Sequence, residues 1–396
     1  MMFYKAVRTD KCVGCNFCRN YVCQSEECVG CKACYLACPN EAVKLEEVEK
    51  KEEINVVVDG EKFSVPAGVT VKKALEILGY KFSKYPEKNA IFAPCEVGGC
   101  WSCAVEINGE LKQSCVTPVR EGMVVKTDVK RLLRAVHGFS GHPVGGVGTP
   151  WWIKGRRYIE AACFACGCNL RCPQCQNWTT TYCGKEKPLT PREAAMKMTA
   201  LRRSIEVDRM AISGGECTLN REWLVSYVKE LKNLNRDEKA RIHIDTNATI
   251  LTEDYLEELV EAGMTDIGID IKALKLETFE KITGVGGELG KKYLKTSWRA
   301  LKRALNYDIF VGVGIPYNPE LISLEEVRKI GEKIAKMSDE VQVCALDYRA
   351  EFRSKIRRPS FEEMFRVWKT LKEVGLKNVI CQTSVGYINP YGELYP

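Results

Sequence analysis

The stretch that most constrains this chain is CFACGCNLRCPQCQN, residues 163–177. Inside it three residues separate Cys168 from Cys172, and two separate Cys172 from Cys175. Three thiolates this close on one loop can hold three irons of a cubic iron–sulfur cluster. The fourth iron then stays open, as one position does at catalytic zinc. A zinc knuckle is the alternative, because spacings of two and three also suit tetrahedral zinc. The chain holds 21 cysteines, 18 of them before Glu186. They fall in tight groups, not in the loose pairs of a disulfide scaffold. Reduced, metal-bound cysteine is the consistent reading, and with it a cytoplasmic location. The N-terminus, MMFYKAVRTDKC, has no apolar core of the length a signal peptide needs. No run approaches the ~18 apolar residues of a membrane span.

Residues 1–50 carry eight cysteines in 27 residues. Cys28, Cys31, Cys34 and Cys38, followed by Pro39, form the run C-x2-C-x2-C-x3-C-P. An earlier group, Cys12, Cys15, Cys18 and Cys23, has four residues before its last cysteine and no proline. The segment resembles a bacterial ferredoxin with two [4Fe–4S] clusters. That resemblance implies an exchanged fourth ligand, with Cys12, Cys15, Cys18 and Cys38 on one cluster and Cys28, Cys31, Cys34 and Cys23 on the other. A pair of zinc sites is the alternative. So short a segment has little core and is expected to fold only with metal.

Residues 51–130 begin with two strands about Asp59-Gly60, then an amphipathic helix, VTVKKALEILG, ended by Gly79. Cys95, Cys100 and Cys103 follow with the plant-type spacing C-x4-C-x2-C, and Cys115 closes the set. CAVEINGELKQSC reads as a hairpin that brings the third and fourth cysteines together. With SCVTPVREGMVV, this resembles the [2Fe–2S] domain of the large iron–sulfur subunit of respiratory complex I and of iron-only hydrogenases. The implied fold is a β-grasp ferredoxin. Residues 131–155, rich in Gly and Pro, read as a linker. His137 and His142 could ligate metal, but a surface or packing role is the first expectation for them, and burial for Trp151 and Trp152.

Over residues 156–396 apolar strands alternate with amphipathic helices, so an α/β unit with a parallel sheet is expected. The six strands RRYIEAACF, DRMAIS, RIHIDT, TDIGIDI, DIFVGVGI and VQVCALDY suit a partial (β/α)6 barrel, and KNVICQT closes the chain. With CNLRCPQC at its start, this part resembles the radical S-adenosylmethionine (SAM) superfamily, and more narrowly the activating enzymes of glycyl-radical proteins. The resemblance implies that an open iron on Cys168, Cys172 and Cys175 chelates SAM, and that one electron releases a 5′-deoxyadenosyl radical. It also implies that Gly214, Gly215 and Glu216 hold the SAM amino group. Asp245, Asn247, Asp270 and Lys272 would line its ribose and methionine parts, and Gly312, Gly314 and Pro316-Tyr317-Asn318 its adenine. A strand-end salt bridge is the alternative for Asp270 and Lys272. Arg349 and Arg353 are read either as a grip for an anionic substrate or as a structural basic pair. Cys163, Cys166 and Cys183 flank the loop and leave an auxiliary cluster open.

The expected cofactors are three [4Fe–4S] clusters, one [2Fe–2S] cluster and SAM. A low-potential donor, whether ferredoxin, flavodoxin or reductase, would feed the front clusters, which should dock on the cluster face of the barrel. The expected function is SAM cleavage with a built-in relay, activating a glycyl-radical or other partner protein. An electron-transfer subunit of a larger redox complex is one alternative, and modification of a small molecule or RNA is another. The formal charge of +7 does not argue for nucleic acid. Thiolate-held clusters on these cysteines would carry a total of about −7, which offsets it.

Overall fold

The computed structural model describes residues 3–154 and 157–395. At the N-terminus the strands Phe3–Arg8 and Val43–Val48 pair antiparallel, from Phe3↔Val48 to Arg8↔Val43. They bracket the cysteine loops and the short helix Ala33–Ala37. Next comes a five-stranded mixed sheet in the order Glu61–Pro66, Glu53–Val58, Met123–Lys126, Ala104–Ile107, Glu110–Gln113. Asp59 (φ 49°) and Gly60 (φ 93°) make the first hairpin turn, and Asn108 (φ 51°) and Gly109 (φ 87°) the second. Both are pairs that tolerate the left-handed backbone such turns require. Helix Val71–Ile77 starts at Thr70, whose hydroxyl accepts from the Lys73 amide. It packs Val71, Ala74 and Leu75 on Val56, Val105 and Met123, an arrangement of the β-grasp kind.

The remainder forms one large sheet. Its longer strands are β1 (Arg134–His142), β2 (Glu160–Ala165), β3 (Arg209–Gly214), β4 (Arg241–Thr246), β5 (Asp266–Asp270), β6 (Phe310–Tyr317), β7 (Gln342–Asp347) and β8 (Val379–Thr383), with three short strands at its edges. β2 to β8 run parallel in sequence order. Helices α1 (Pro191–Ser204), α2 (Arg221–Leu234), α3 (Glu253–Ala262), α4 (Leu276–Thr283), α5 (Gly287–Ala304), α6 (Leu324–Ala335) and α7 (Phe361–Glu373) lie between them. Local chemistry sets their starts. Thr190 with Glu193 and Ser360 with Glu363 are capping boxes, and Asn220 and Ser323 cap α2 and α6. The (β/α)6 unit is present, and β8 extends its parallel run by one strand.

The segment expected as a linker is structural. β1 pairs antiparallel with β2, with a bulge between His137 and Ser140. The seven residues that follow, Pro143–Thr149, then enter the barrel and plug its floor. Gln342 Nε2 donates to the carbonyls of Val147 (3.0 Å) and Thr149 (2.9 Å), and Arg209 donates to that of Gly148 (3.1 Å). Glycines on the strands make the room. A Cβ at Gly312 would overlap the Val147 carbonyl, and one at Gly268 would lie 2.6 Å from the Gly148 amide nitrogen. Glycine-rich sequence reads as a linker because it lacks a period. Here the glycines allow backbone to pack against backbone. Trp152 is 61% exposed, edge-on to Phe310, so it is not buried as expected.

Candidate active site

The C-terminal ends of β3 to β7 open on a cavity of about 460 Å³. Its wall contains Cys168, Cys172 and Cys175, together with Gly214, Gly215, Glu216, Asp245, Asn247, Asp270 and Lys272. Residues scattered over more than 100 positions thus meet at strand ends, where such sheets place their ligands. The cysteine loop is held from below by Arg171, which donates to the carbonyls of Cys168 (2.8 Å) and Leu170 (2.9 Å). Gln174 donates to the Ile282 carbonyl at 2.7 Å.

Burial pushes all three thiols up, Cys172 to about 12 and Cys168 well above the usual thiol range, while Lys272 pulls Cys172 and Cys175 back. Buried thiols of this kind ionise readily only around a cationic core, so the donor set fits an iron–sulfur cluster. Lys272 itself is pulled down by burial but raised further by Asp270, so it stays charged. Its Nζ donates to Asp270 Oδ2 and to the Tyr348 hydroxyl, each at 2.7 Å. The strand-end salt bridge is therefore formed, within the cavity wall.

Glu216 lines the cavity with its carboxylate already hydrogen-bonded within the protein. It is 1% exposed, and its carboxylate accepts from the Thr218 amide (3.0 Å), the Thr218 and Thr246 hydroxyls (2.6 Å each) and the Asn247 amide (2.7 Å). Burial raises its pKa, and these donors oppose that. The carboxylate locks β3 to β4 while lining the cavity wall together with the Gly214-Gly215 backbone. Asn247 donates to Cys168 Sγ at 3.7 Å and to Asn169 at 3.1 Å. Gly312 and Gly314 face the plug: a Cβ at Gly314 would lie 3.1 Å from a Val147 methyl. Asn318 is fully buried and donates to the carbonyls of Tyr348 and Arg357. Arg353 is engaged within the chain. It grips the carbonyls of Tyr35, Leu36 and Cys38 in the ferredoxin-like unit.

Sequence reading missed a charged network under the cavity. His243 is fully buried between Glu160 (3.2 Å) and Asp245 (3.0 Å), and Arg209 joins Glu160 to Asp266. Its trace in the sequence was charge inside an apolar strand, in RIHIDT and YIEAAC. Burial alone would lower the His243 value, but Asp245 and then Glu160 outweigh it and raise it from 6.5 to about 9. The stabilisation is therefore complete below pH 6.5 and lost as pH rises through 9. It is worth about 3 kcal/mol, at order-of-magnitude level. The urea midpoint of the protein should fall between pH 6.5 and 9, and His243→Gln should remove that part of the slope.

The other cysteine groups also fit clusters. Cys12, Cys15, Cys18 and Cys38 line one small cavity. Burial and the neighbouring thiols Cys23 and Cys28 push Cys31 to about 11, and burial with Cys31, Cys23 and Cys28 pushes Cys34 to about 12. Cys95, Cys100, Cys103 and Cys115 are all buried, with Cys95 in contact with Cys100 and Cys115, and Cys103 with Cys115. The planar-cluster loop abuts the catalytic loop. A Cβ at Gly167 would lie 3.1 Å from Cys95 Cβ, and one at Gly99 would lie 2.8 Å from Cys166 Cβ. The ferredoxin-like unit reaches the same loop through Phe17, whose ring is 4.6 Å from that of Trp178.

The remaining cysteines do not converge. The Cys163 thiol meets the Tyr227 hydroxyl (3.7 Å), Cys217 the Asp245 carbonyl and Cys381 the Met364 carbonyl, Cys166 pairs with Cys183, and Cys344 lines the cavity wall. An auxiliary cluster has no ligand set among the described residues. Reconstituted protein should accordingly hold about 14 irons, the content of three cubic clusters and one planar cluster. An anaerobic iron assay near 6 would remove the ferredoxin pair, and one near 18 would restore the auxiliary cluster.

Residues 163–334 match the Radical SAM superfamily. The chain carries a radical SAM domain. Residues 51–130 match the 2Fe-2S iron-sulfur cluster binding domain, and residues 24–44 the 4Fe-4S binding domain. The radical SAM domain is similar to a Methanocaldococcus jannaschii protein with the provisional name glycyl-radical enzyme activating enzyme. The two are 26% identical over 57% of this chain and 90% of that one. A Probable GTP 3′,8-cyclase of Methanococcus aeolicus is 28% identical over 43% of this chain and 67% of its own length. The 78 kDa subunit of NADH-ubiquinone oxidoreductase from Candida albicans is 38% identical over 90 residues. Those residues are 22% of this chain and 12% of that subunit. No helix among the described residues is long and apolar enough to cross a membrane.

Proposed function

We propose that the protein reductively cleaves SAM at a cluster held by Cys168, Cys172 and Cys175, fed by its own iron–sulfur domains, and thereby activates a partner protein. The observation that carries this reading is the shared cavity, in which the three thiols face Gly214, Gly215, Asn247 and the Asp270–Lys272 pair across one space. A cluster there supplies one low-potential electron and an open iron, and the chain supplies position and charge. The fixed Lys272 cation suits a carboxylate, and the Gly214-Gly215 backbone suits an ammonium group. The plug closes the barrel floor, so a large substrate must be presented at the mouth. That favours a chain segment of a partner protein.

A small-molecule substrate is the second reading, favoured by the similarity to the Probable GTP 3′,8-cyclase. Anaerobic incubation with SAM, dithionite and either a deuterated glycyl-radical partner or labelled GTP separates the two. Deuterium transferred from the partner protein into 5′-deoxyadenosine supports activation. Turnover only with GTP contradicts it.

A further inference from the structure

A second cavity, of about 220 Å³, lies between the ferredoxin-like unit and the planar-cluster domain. Cys31 stands on one side of it and Cys115 on the other, with Lys32, Lys50, Lys72 and Lys73 in the wall against Glu76 and Glu96. Of the four lysines, Lys72 is the one fixed by backbone to the Cys115 loop. Its amide donates to the Ser114 carbonyl at 2.8 Å, and the Val71 amide donates to that of Thr117 at 2.9 Å, so the two bonds straddle Cys115. Lys32 instead sits 4.2 Å over the Tyr4 ring.

The Lys72 side chain is 20% exposed. Its own ion pairs are long, 3.5 Å to Glu76 and 3.9 Å to Glu96. Glu96 is shared with Lys84 at 2.7 Å and Arg171 at 3.4 Å. Glu96, the farther of its two carboxylates, is thus largely engaged elsewhere, and Lys72 lines the same cavity as Cys115.

We infer that Lys72 sets the potential of a [2Fe–2S] cluster on Cys95, Cys100, Cys103 and Cys115, holding it high enough to draw electrons from the cubic cluster at Cys31. This rests on the relay in the proposed function. The step moves one electron from the reduced cubic cluster to the oxidised planar one, and no bond forms or breaks and no proton moves. The electron makes the planar site one unit more negative. A fixed cation in a partly buried cavity favours that state, because protein screens it less than water does. Lys72 touches no substrate and acts through the cluster, as a residue that tunes its potential.

The test is a redox titration of the holoprotein, with the planar cluster read by electron paramagnetic resonance. Lys72→Gln should shift the midpoint negative, leaving about tenfold fewer reduced planar clusters at a fixed ambient potential. Lys72→Arg should restore the wild-type midpoint. Glu96→Gln should shift it the other way, and this arm decides the matter if Lys72→Gln fails to load its cluster. A planar cluster that titrates at the wild-type midpoint in both Gln variants overturns the inference. Wild-type protein with no [2Fe–2S] signal would instead overturn the relay reading beneath it.

Discussion

Cys172→Ala is expected to lower SAM cleavage by more than about 100-fold while leaving the ferredoxin-type signals intact. Loss of an outer-shell partner alone costs a metal site roughly 10–100-fold, and Cys172 is proposed as a direct ligand. Cys172 sits on the cavity wall between Cys168 and Cys175, and Lys272 acts on it electrostatically. The front clusters are held by separate groups of cysteines, so their spectra should persist. Electron paramagnetic resonance of the reduced variant, with an assay for 5′-deoxyadenosine, reads both outcomes. Wild-type cleavage by the variant would mean that the catalytic cluster lies elsewhere.

Arg134→Ala should cost about 3–5 kcal/mol, because it strips a buried cation from groups left without donors. Arg134 is fully buried. Its guanidinium donates to the carbonyls of Cys100 (3.0 Å), Cys166 (3.0 Å) and Glu216 (2.7 Å). One side chain therefore joins the planar-cluster loop, the strand leading into the catalytic loop and the segment after β3. Arg134→Lys keeps the charge but not the planar fork, so it should recover only part of the loss. Urea denaturation measures the stability. The visible spectrum of the planar cluster should bleach earlier in the variant, since its loop loses its anchor to the barrel. Unchanged midpoints in both measurements would mean that the three contacts are dispensable.

Much of this was legible in the sequence, because cysteine spacing and strand–helix alternation are local. The groups at Cys28–Cys38 and Cys168–Cys175 name their chemistry, and the apolar strands mark where the barrel begins. What could not be read depends on pairings between distant segments. Arg134 is one more basic residue in RLLRAV until its three carbonyls are seen. The glycines of HPVGGVGT look like flexibility, yet Gly148 and Gly312 are where two backbones approach inside the barrel. Arg353 follows β7 and could be read as a substrate grip or as a structural basic residue, and only the structure shows that the ferredoxin-like unit supplies its carbonyl partners. Glu216 sits where the motif places it, and only the structure reveals that its carboxylate is already engaged.

The central claim is that the front clusters and the radical SAM cavity form one working unit. Its most direct test is SAM cleavage by the full-length, anaerobically reconstituted protein, driven by reduced ferredoxin or flavodoxin. Wild type is compared with Cys100→Ser, which disables the planar cluster, and both are repeated with dithionite. The account predicts 5′-deoxyadenosine and methionine in equal amounts from wild type with either reductant. It predicts a large loss in Cys100→Ser with the protein donor, recovered with dithionite. Fully loaded wild-type protein that leaves SAM intact, or a Cys100→Ser variant as fast as wild type with the protein donor, would contradict it.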